Sequence, residues 1–352
     1  MKALIAMSGG VDSSVAALLT LRAGYSGIGC TMKLFEPGDT VTKEKSCCSL
    51  DDTEDAKSVA YKLGMPYYVF NFKDDFRECV IKKFAESYTR GETPNPCIDR
   101  NRYLKFDRLY ERARTLGCDV LVTGHYARIE YENGRYLLKK ALDESKDQSY
   151  VLYSLTQEVL AHTRFPLGNY RKTEVRAIAE ENGFINAQKR DSQDICFVPD
   201  GKYADVVEKV TGKTFPEGDY VDEDGNVIGR HKGIIRYTVG QHKRLGISTE
   251  TPLYVKTIDA ERNTVTLTPE DRIFTREVRV KDVNLISVDR LDGPMRVKAK
   301  IRYRQPEQDA VIEQIGDGEI KLTFDSPVRA VTKGQAAVFY DGDTVVGGGT
   351  VV

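Results

Sequence analysis

A short apolar run, Ala3-Leu4-Ile5-Ala6-Met7, breaks into Ser8-Gly9-Gly10-Val11-Asp12-Ser13, and helical spacing in SVAALLTLRAGY follows at once, closing near Gly24. This is strand, turn and helix in fewer than thirty residues, the first part of a β-α-β unit. The two glycines can adopt φ > 0 and let the backbone come close to an anion. The helix that starts here contributes unpaired N–H groups and a partial positive charge. The turn therefore reads as a phosphate cradle. It is not of the GxxxxGK[ST] kind, because no lysine follows the glycines.

The alternation continues. YSGIGCTMKLF is a second strand, DDTEDAKSVAYKLGM an acidic-starting helix that ends at Gly64, and PYYVFNF a third strand. FRECVIKKFAESYTRG and KFDRLYERARTLG are helical, and CDVLVTGHYA is a strand running into a polar loop. Strands alternating with helices predict a doubly wound parallel sheet of the α/β class, with ligands outside the carboxyl ends of the strands. Ser8, Met32 and Gly124 fall at such ends.

From about residue 200 the texture changes to short turn-rich pieces, and after about 273 to strand signals separated by polar turns. This predicts a small central domain, 199–272, and a C-terminal β-barrel, 273–352, behind a first domain of 1–198. A chain of 352 residues has room for two or three domains. Charged residues at 30% and hydrophobic ones at 40% fit a soluble globular protein. No apolar stretch reaches the roughly 18–20 residues of a membrane span and no signal-peptide pattern is present, so the expectation is no membrane and a cytoplasmic location. A formal charge of -1 gives no global attraction to nucleic acid. Any such affinity must be local, and Arg276–Arg304 carries nine Lys/Arg against four acids. Within it Arg296, Lys298, Lys300 and Arg302 alternate, so a strand would put all four on one face, as a binding surface or a merely solvated one.

The hydroxyl-rich, Asp-containing loop resembles the PP-loop of ATP pyrophosphatases, which release AMP and pyrophosphate. The resemblance extends over nearly the whole chain to the bacterial tRNA-specific 2-thiouridylases. It is carried by Thr31-Met32-Lys33, Thr93-Pro94-Asn95-Pro96, Thr123-Gly124-His125-Tyr126-Ala127, Lys146-Asp147-Gln148-Ser149-Tyr150, Phe165-Pro166-Leu167-Gly168, Asp191 to Phe197, Tyr237 to His242 and Arg302-Tyr303-Arg304-Gln305. It implies a PP-loop ATPase type of N-terminal sheet, with ATP, and Mg²⁺ beside it, as cofactors. Ala6, Met7, Ser8, Gly9, Gly10, Val11, Asp12, Ser13, Met32 and Gly124 would contact ATP. Asn95, Pro96 and Cys97 would face the target base, and His125, Lys146, Asp147, Gln148, Tyr303, Arg304 and Gln335 would contact tRNA. The implied reaction adenylates the C2 oxygen of a wobble uridine and replaces it with sulfur from a cysteine persulfide. The implied partners are tRNA and a persulfide donor, either a cysteine desulfurase or a sulfur relay protein.

Seven cysteines without a secretory signal do not read as a disulfide framework. Cys196, in DSQDICF, matches the family cysteine that accepts persulfide, and must be a thiolate to act. Here the sequence departs from its relatives' usual NPDxxCN: Cys97 stands at the Asp position and Arg100 at that of the second cysteine. Either Cys97 serves as the partner of Cys196 from one helical turn away, or Cys196 acts alone. The expected catalytic set is Cys97, Cys196 and Asp12. No protein metal site is expected, and an iron–sulfur cluster, which takes three or four thiolates, is disfavoured. Cys47-Cys48 reads as packing at a helix start, and Cys30, Cys79 and Cys118 as core. Two rivals stay open: a PP-loop ligase for a small molecule, which would need neither barrel nor paired cysteines, and a tRNA-binding protein that has lost sulfur transfer.

Overall fold

The structure, a computed structural model, describes residues 1–35, 50–189, 195–198 and 201–352. Cys47 and Cys48 lie outside these residues, as do Asp191 to Asp194. The chain divides into two compact units: one comprises 1–79, 97–200 and 343–346, the other 80–96, 201–342 and 347–352.

In the first unit, β1 (Lys2–Ala6), β2 (Ser26–Lys33), β3 (Tyr67–Asn71) and β4 (Val120–Thr123) are four parallel strands. A hairpin, β5 (Arg128–Glu132) and β6 (Arg135–Lys139), follows, and then the two-residue β7 (Thr163–Arg164). The parallel sheet runs β3-β2-β1-β4-β7. Central β1 is apolar throughout Ala3-Leu4-Ile5, all fully buried, as befits a strand covered on both faces. Helix α1 (Val11–Arg22) buries Val11, Val15, Ala16, Ala17 and Leu18 in the same core cluster as Ala3 and Ile5. Helix α2 (Leu50–Lys62) adds Ala56, Val59 and Ala60 and is followed by Gly64 at φ +68°. The β5–β6 turn is Asn133-Gly134, both at positive φ, a two-residue pairing that suits the twist of a hairpin. Sequence periodicity had not singled this hairpin out.

The helical segments expected around 76–91 and 105–117 are present, but each opens with a wider-wound π stretch, Arg77–Lys82 and Arg100–Arg108. Such stretches are uncommon and gather at functional positions.

In the second unit, helix Lys83–Thr89 packs against helix Tyr203–Thr211 through the rings of Phe84, Tyr88 and Tyr203. A small sheet comprises β8 (Gly218–Val221), β9 (Val227–His231), β10 (Tyr254–Asp259) and β11 (Thr264–Thr268), in the order β10-β11-β8-β9. His231 is fully buried there between Tyr220 and Tyr237. Its Nδ1 accepts from the Gly233 N–H, so Nε2 carries the proton and donates to Asn263 O. It is a core histidine.

The remaining strands are β12 (Phe274–Leu285), β13 (Met295–Lys300), β14 (Gln308–Gly316), β15 (Glu319–Arg329), β16 (Ala336–Asp341) and β17 (Thr344–Val351). They run β12-β15-β14-β13-β16-β17, and β17 pairs back onto β12, closing a barrel with no free edge. The glycine run near the C-terminus permits that closure. A Cβ on Gly347 would sit 2.4 Å from Asn284 O and one on Gly349 2.5 Å from Lys281 O, where the β12 register shifts.

The alternating basic strand is corrected in part. In β13 Val297 and Ala299 point inward while Arg296 and Lys298 are exposed, as the period-two pattern required. Strand geometry ends at Lys300, however. Arg302 turns in, and its Nη2 donates to Val239 O, Ala330 O and Thr332 Oγ1 at 3.0, 2.9 and 2.5 Å. Arg296 is held by both oxygens of Asp325 at 2.8 Å. Four equivalent surface cations therefore do not exist.

Candidate active site

The sheet order reverses between β1 and β4, and the crevice at their carboxyl ends is where ligands gather in open α/β sheets. Both loops there are built for close approach. Gly9 sits at φ +74°, and a Cβ on it would fall 2.2 Å from Asp52 O, so neither the conformation nor the space admits a larger residue. A Cβ on Gly124 would fall 2.9 Å from Asp12 C and Ser13 N, so the loop after β4 presses on the first turn of α1. Gly10 caps α1 without a side-chain hydrogen bond, leaving donors at that end available to an anion. Ser13 Oγ donates to Gly10 O (2.9 Å) and accepts from Ser8 N (3.1 Å), which keeps the turn closed. Asn186 Nδ2 donates to Gly9 O and Ser14 Oγ, both at 2.9 Å, locking it from behind.

Among the other residues expected at ATP, Met7 and Val11 are buried, Ala6 half-buried, and Met32 half-buried near the end of β2. Thr31 Oγ1 donates to Met7 O at 2.6 Å, tying that strand end to the loop.

Asp12 carries a partner that its sequence context did not reveal. Lys172 Nζ, at the start of helix Lys172–Glu181, lies 2.7 and 2.8 Å from its two carboxylate oxygens, and Tyr126 OH donates to Oδ1 at 2.8 Å. Lys172 is only 8% exposed, so a cation is delivered to the loop from 160 residues away. The lysine absent from the loop's own sequence is thus supplied by the tertiary fold. The only local clue was KTEVRAIAEE, a helix whose first residue is a lysine just beyond Phe165-Pro166-Leu167-Gly168.

That engagement bears on Mg²⁺. Asp12 is engaged by Lys172 and Tyr126, and among the described residues no group of three His, Cys, Asp or Glu could hold a metal.

Cys196 is half-buried, and the guanidinium Nη1 of Arg100 donates to its Sγ at 3.6 Å. Cys97 is exposed on the short helix Pro96–Asp99, one turn before Arg100. Cys30 and Cys118 are buried, and burial pushes both thiols up out of the reactive range. Cys79 is only half-buried, a departure from the core reading, although desolvation followed by the charge of Asp75 raises its thiol too.

The residues expected at tRNA fall into two groups. Tyr303 is 40% exposed under the ammonium of Lys300, Arg304 is exposed, and Lys146 and Asn95 are half-buried. The others are occupied inside the fold. Asp147 accepts from Ala141 N, Ser149 N and Ser149 Oγ. Gln148 Oε1 accepts from Tyr126 N, Pro96 is buried, and Gln335 Nε2 donates to Thr93 O at 2.7 Å. His125 is 6% exposed between Phe106 and Phe165. Its Nε2 faces Lys105 Nζ at 3.2 Å and its Nδ1 faces Thr123 Oγ1 at 2.6 Å. An ammonium can only donate, so Nε2 accepts and Nδ1 holds the proton. Burial, then Lys105, then Arg100, hold this imidazole neutral well below its usual pKa. These residues shape the loops more than they offer surface contacts.

The fold and crevice define a HUP-domain α/β protein, followed along the chain by two barrel-type domains. Residues 1–200 match the family described as tRNA methyl transferase HUP domain, 204–269 the tRNA methyl transferase PRC-barrel domain, and 275–351 the aminomethyltransferase beta-barrel domain. The chain is 52% identical to the tRNA-specific 2-thiouridylase MnmA of Acetivibrio thermocellus, covering 99% of both chains. It is 51% identical to that of Clostridioides difficile (99% and 98% covered) and 49% identical to that of Clostridium acetobutylicum (99% of both). It belongs to the tRNA-specific 2-thiouridylase family. A solved 4-thiouridine synthetase–RNA complex with bound ATP is a remote likeness: 20% identity and TM-score 0.38, over 60% of this chain and 50% of that one.

Proposed function

We propose that this chain is an ATP-dependent tRNA sulfurtransferase that adenylates the C2 oxygen of the wobble uridine and replaces it with sulfur, giving 2-thiouridine, AMP and pyrophosphate. The observation that carries this reading is the relationship over 99% of the chain at about half identity; the roles of Ser8, Asp12, Ser13 and Cys196 are those that the motif resemblance implies. The domain division 1–198, 199–272 and 273–352 and a cytoplasmic location belong to the same proposal.

A carbonyl oxygen is a poor leaving group, and transfer of AMP onto it makes departure feasible. The open N-terminus of α1 and Lys172 provide donors and charge for the phosphates. Mg²⁺ bound with the nucleotide would neutralise phosphate charge. For sulfur delivery, the Cys196 persulfide anion attacks C2 and AMP departs, leaving a C2–S–S–Cys196 link. A Cys97 thiolate then attacks Cys196 Sγ, and the 2-thiouridine sulfur leaves with its electron pair. The product is a Cys97–Cys196 disulfide, which a dithiol reductant returns to two thiols with two electrons and two protons.

The small-molecule ligase reading leaves the barrels and the Cys196 site without a task. ATP–pyrophosphate exchange with and without bulk tRNA tests the choice: stimulation by tRNA is expected, and equal turnover without it would remove tRNA as the substrate.

A further inference from the structure

The cation at the position of the family's second cysteine is in contact with the remaining one. Arg100 Nη1 donates to Cys196 Sγ at 3.6 Å, and Cys196 is half-buried, so water screens that charge incompletely. The backbone that presents the guanidinium is well anchored. Ile98, Asp99 and Asn101 around it are buried, and Asn101 Nδ2 donates to Val151 O at 3.1 Å. On the same helical stretch and the short helix before it, the other charged or titratable groups are Cys97, Asp99, Arg102, Tyr103, Lys105, Asp107 and Arg108, and Lys105 faces His125, which stays neutral.

We propose that Arg100 is a positioning residue that keeps the Cys196 sulfur anionic and aimed, first as the thiolate and then as the persulfide anion. The proposal rests on the sulfurtransferase reading and names a role for a residue that replaces a thiol. In loading, the Cys196 thiolate attacks the outer sulfur of a donor persulfide. A new S–S bond forms on Cys196, the donor's S–S bond breaks, and the donor leaves as a thiolate. One sulfur anion is consumed and one released, so no outside oxidant is needed. A fixed guanidinium favours each anion on Cys196 over its protonated form and, being unable to deprotonate, serves throughout the cycle. The arginine cannot resolve a disulfide, which assigns that task to a different thiol.

The test reads Cys196 in the free full-length protein, so it stands whether or not tRNA proves to be the substrate. Iodoacetamide labelling is followed on the Cys196 peptide by mass spectrometry, in wild type, Arg100→Gln and Arg100→Lys, with circular dichroism as the check on folding. A thiol pKa shift of one unit changes the thiolate fraction tenfold, and the accompanying change in nucleophilicity returns part of it, so Arg100→Gln should label about threefold more slowly near neutral pH. At about pH 10, where the thiol ionises unaided, the deficit should vanish, with Arg100→Gln at or above the wild-type rate, and Arg100→Lys should stay close to wild type throughout. Equal neutral-pH rates in wild type and Arg100→Gln would overturn the proposal. So would a deficit that persists at high pH, or an Arg100→Lys variant as slow as Arg100→Gln.

Discussion

Lys172 Nζ lies 2.7 and 2.8 Å from the two carboxylate oxygens of Asp12, joining the first turn of α1 to a helix 160 residues further along the chain. Asp12 would otherwise set a negative charge beside the turn proposed to receive phosphate. The ammonium neutralises it and leaves the loop net favourable to an anion.

Lys172→Met should therefore abolish adenylation, and should also lower stability by about 1–3 kcal/mol through an unmatched, partly buried carboxylate. Asp12→Ala and Ser13→Ala should both remove ATP-dependent activity with the fold retained. Pyrophosphate exchange beside a urea unfolding curve separates these effects, and normal exchange in all three variants would disprove the assignment of the ATP site.

Arg304→Ala and Arg302→Ala should part ways. Arg304 is exposed, and losing one phosphate contact flattens the slope of log K against log[salt] for tRNA by about 0.7–0.9. Arg302 serves two carbonyls and a threonine hydroxyl, so its removal should appear in the melting temperature first. An unchanged salt slope in Arg304→Ala would return that residue to ordinary solvated surface.

Cys196→Ser should give no thiolated tRNA in a single turnover with a purified persulfide donor. Cys97→Ser should load sulfur on Cys196 normally but stall before release of 2-thiouridine. Wild-type yield from Cys97→Ser would eliminate the partner role.

Stability should fall as pH drops below about 6.5, because the unfolded chain protonates its histidine at that pKa while folded His125 is held neutral well below it. The unfolded state then binds one more proton than the native state, which makes the slope of unfolding free energy against pH positive. This one group contributes about 1.4 kcal/mol per pH unit, from the unfolded pKa down to the folded one. Urea midpoints measured from neutral to mildly acid pH in wild type and His125→Gln check it, the variant showing the shallower dependence.

The glycine turn between strand and helix, the parallel sheet and the closed barrel were legible along the chain because each is written in local terms. A glycine pair lies between an apolar strand and a helix, strands alternate with helices, and short strands are separated by polar turns. The inward Val297 and Ala299 with outward Arg296 and Lys298 follow from period two alone. Partnership across the chain is not written that way. Nothing near Asp12 announces Lys172, and nothing near Cys196 announces Arg100, because each pair is brought together by strand order and helix packing over roughly a hundred residues or more. Arg302 shows the same limit in reverse. Its spacing continued the strand pattern, but the backbone left the strand at Lys300, and three acceptors on distant loops determined where its charge would point.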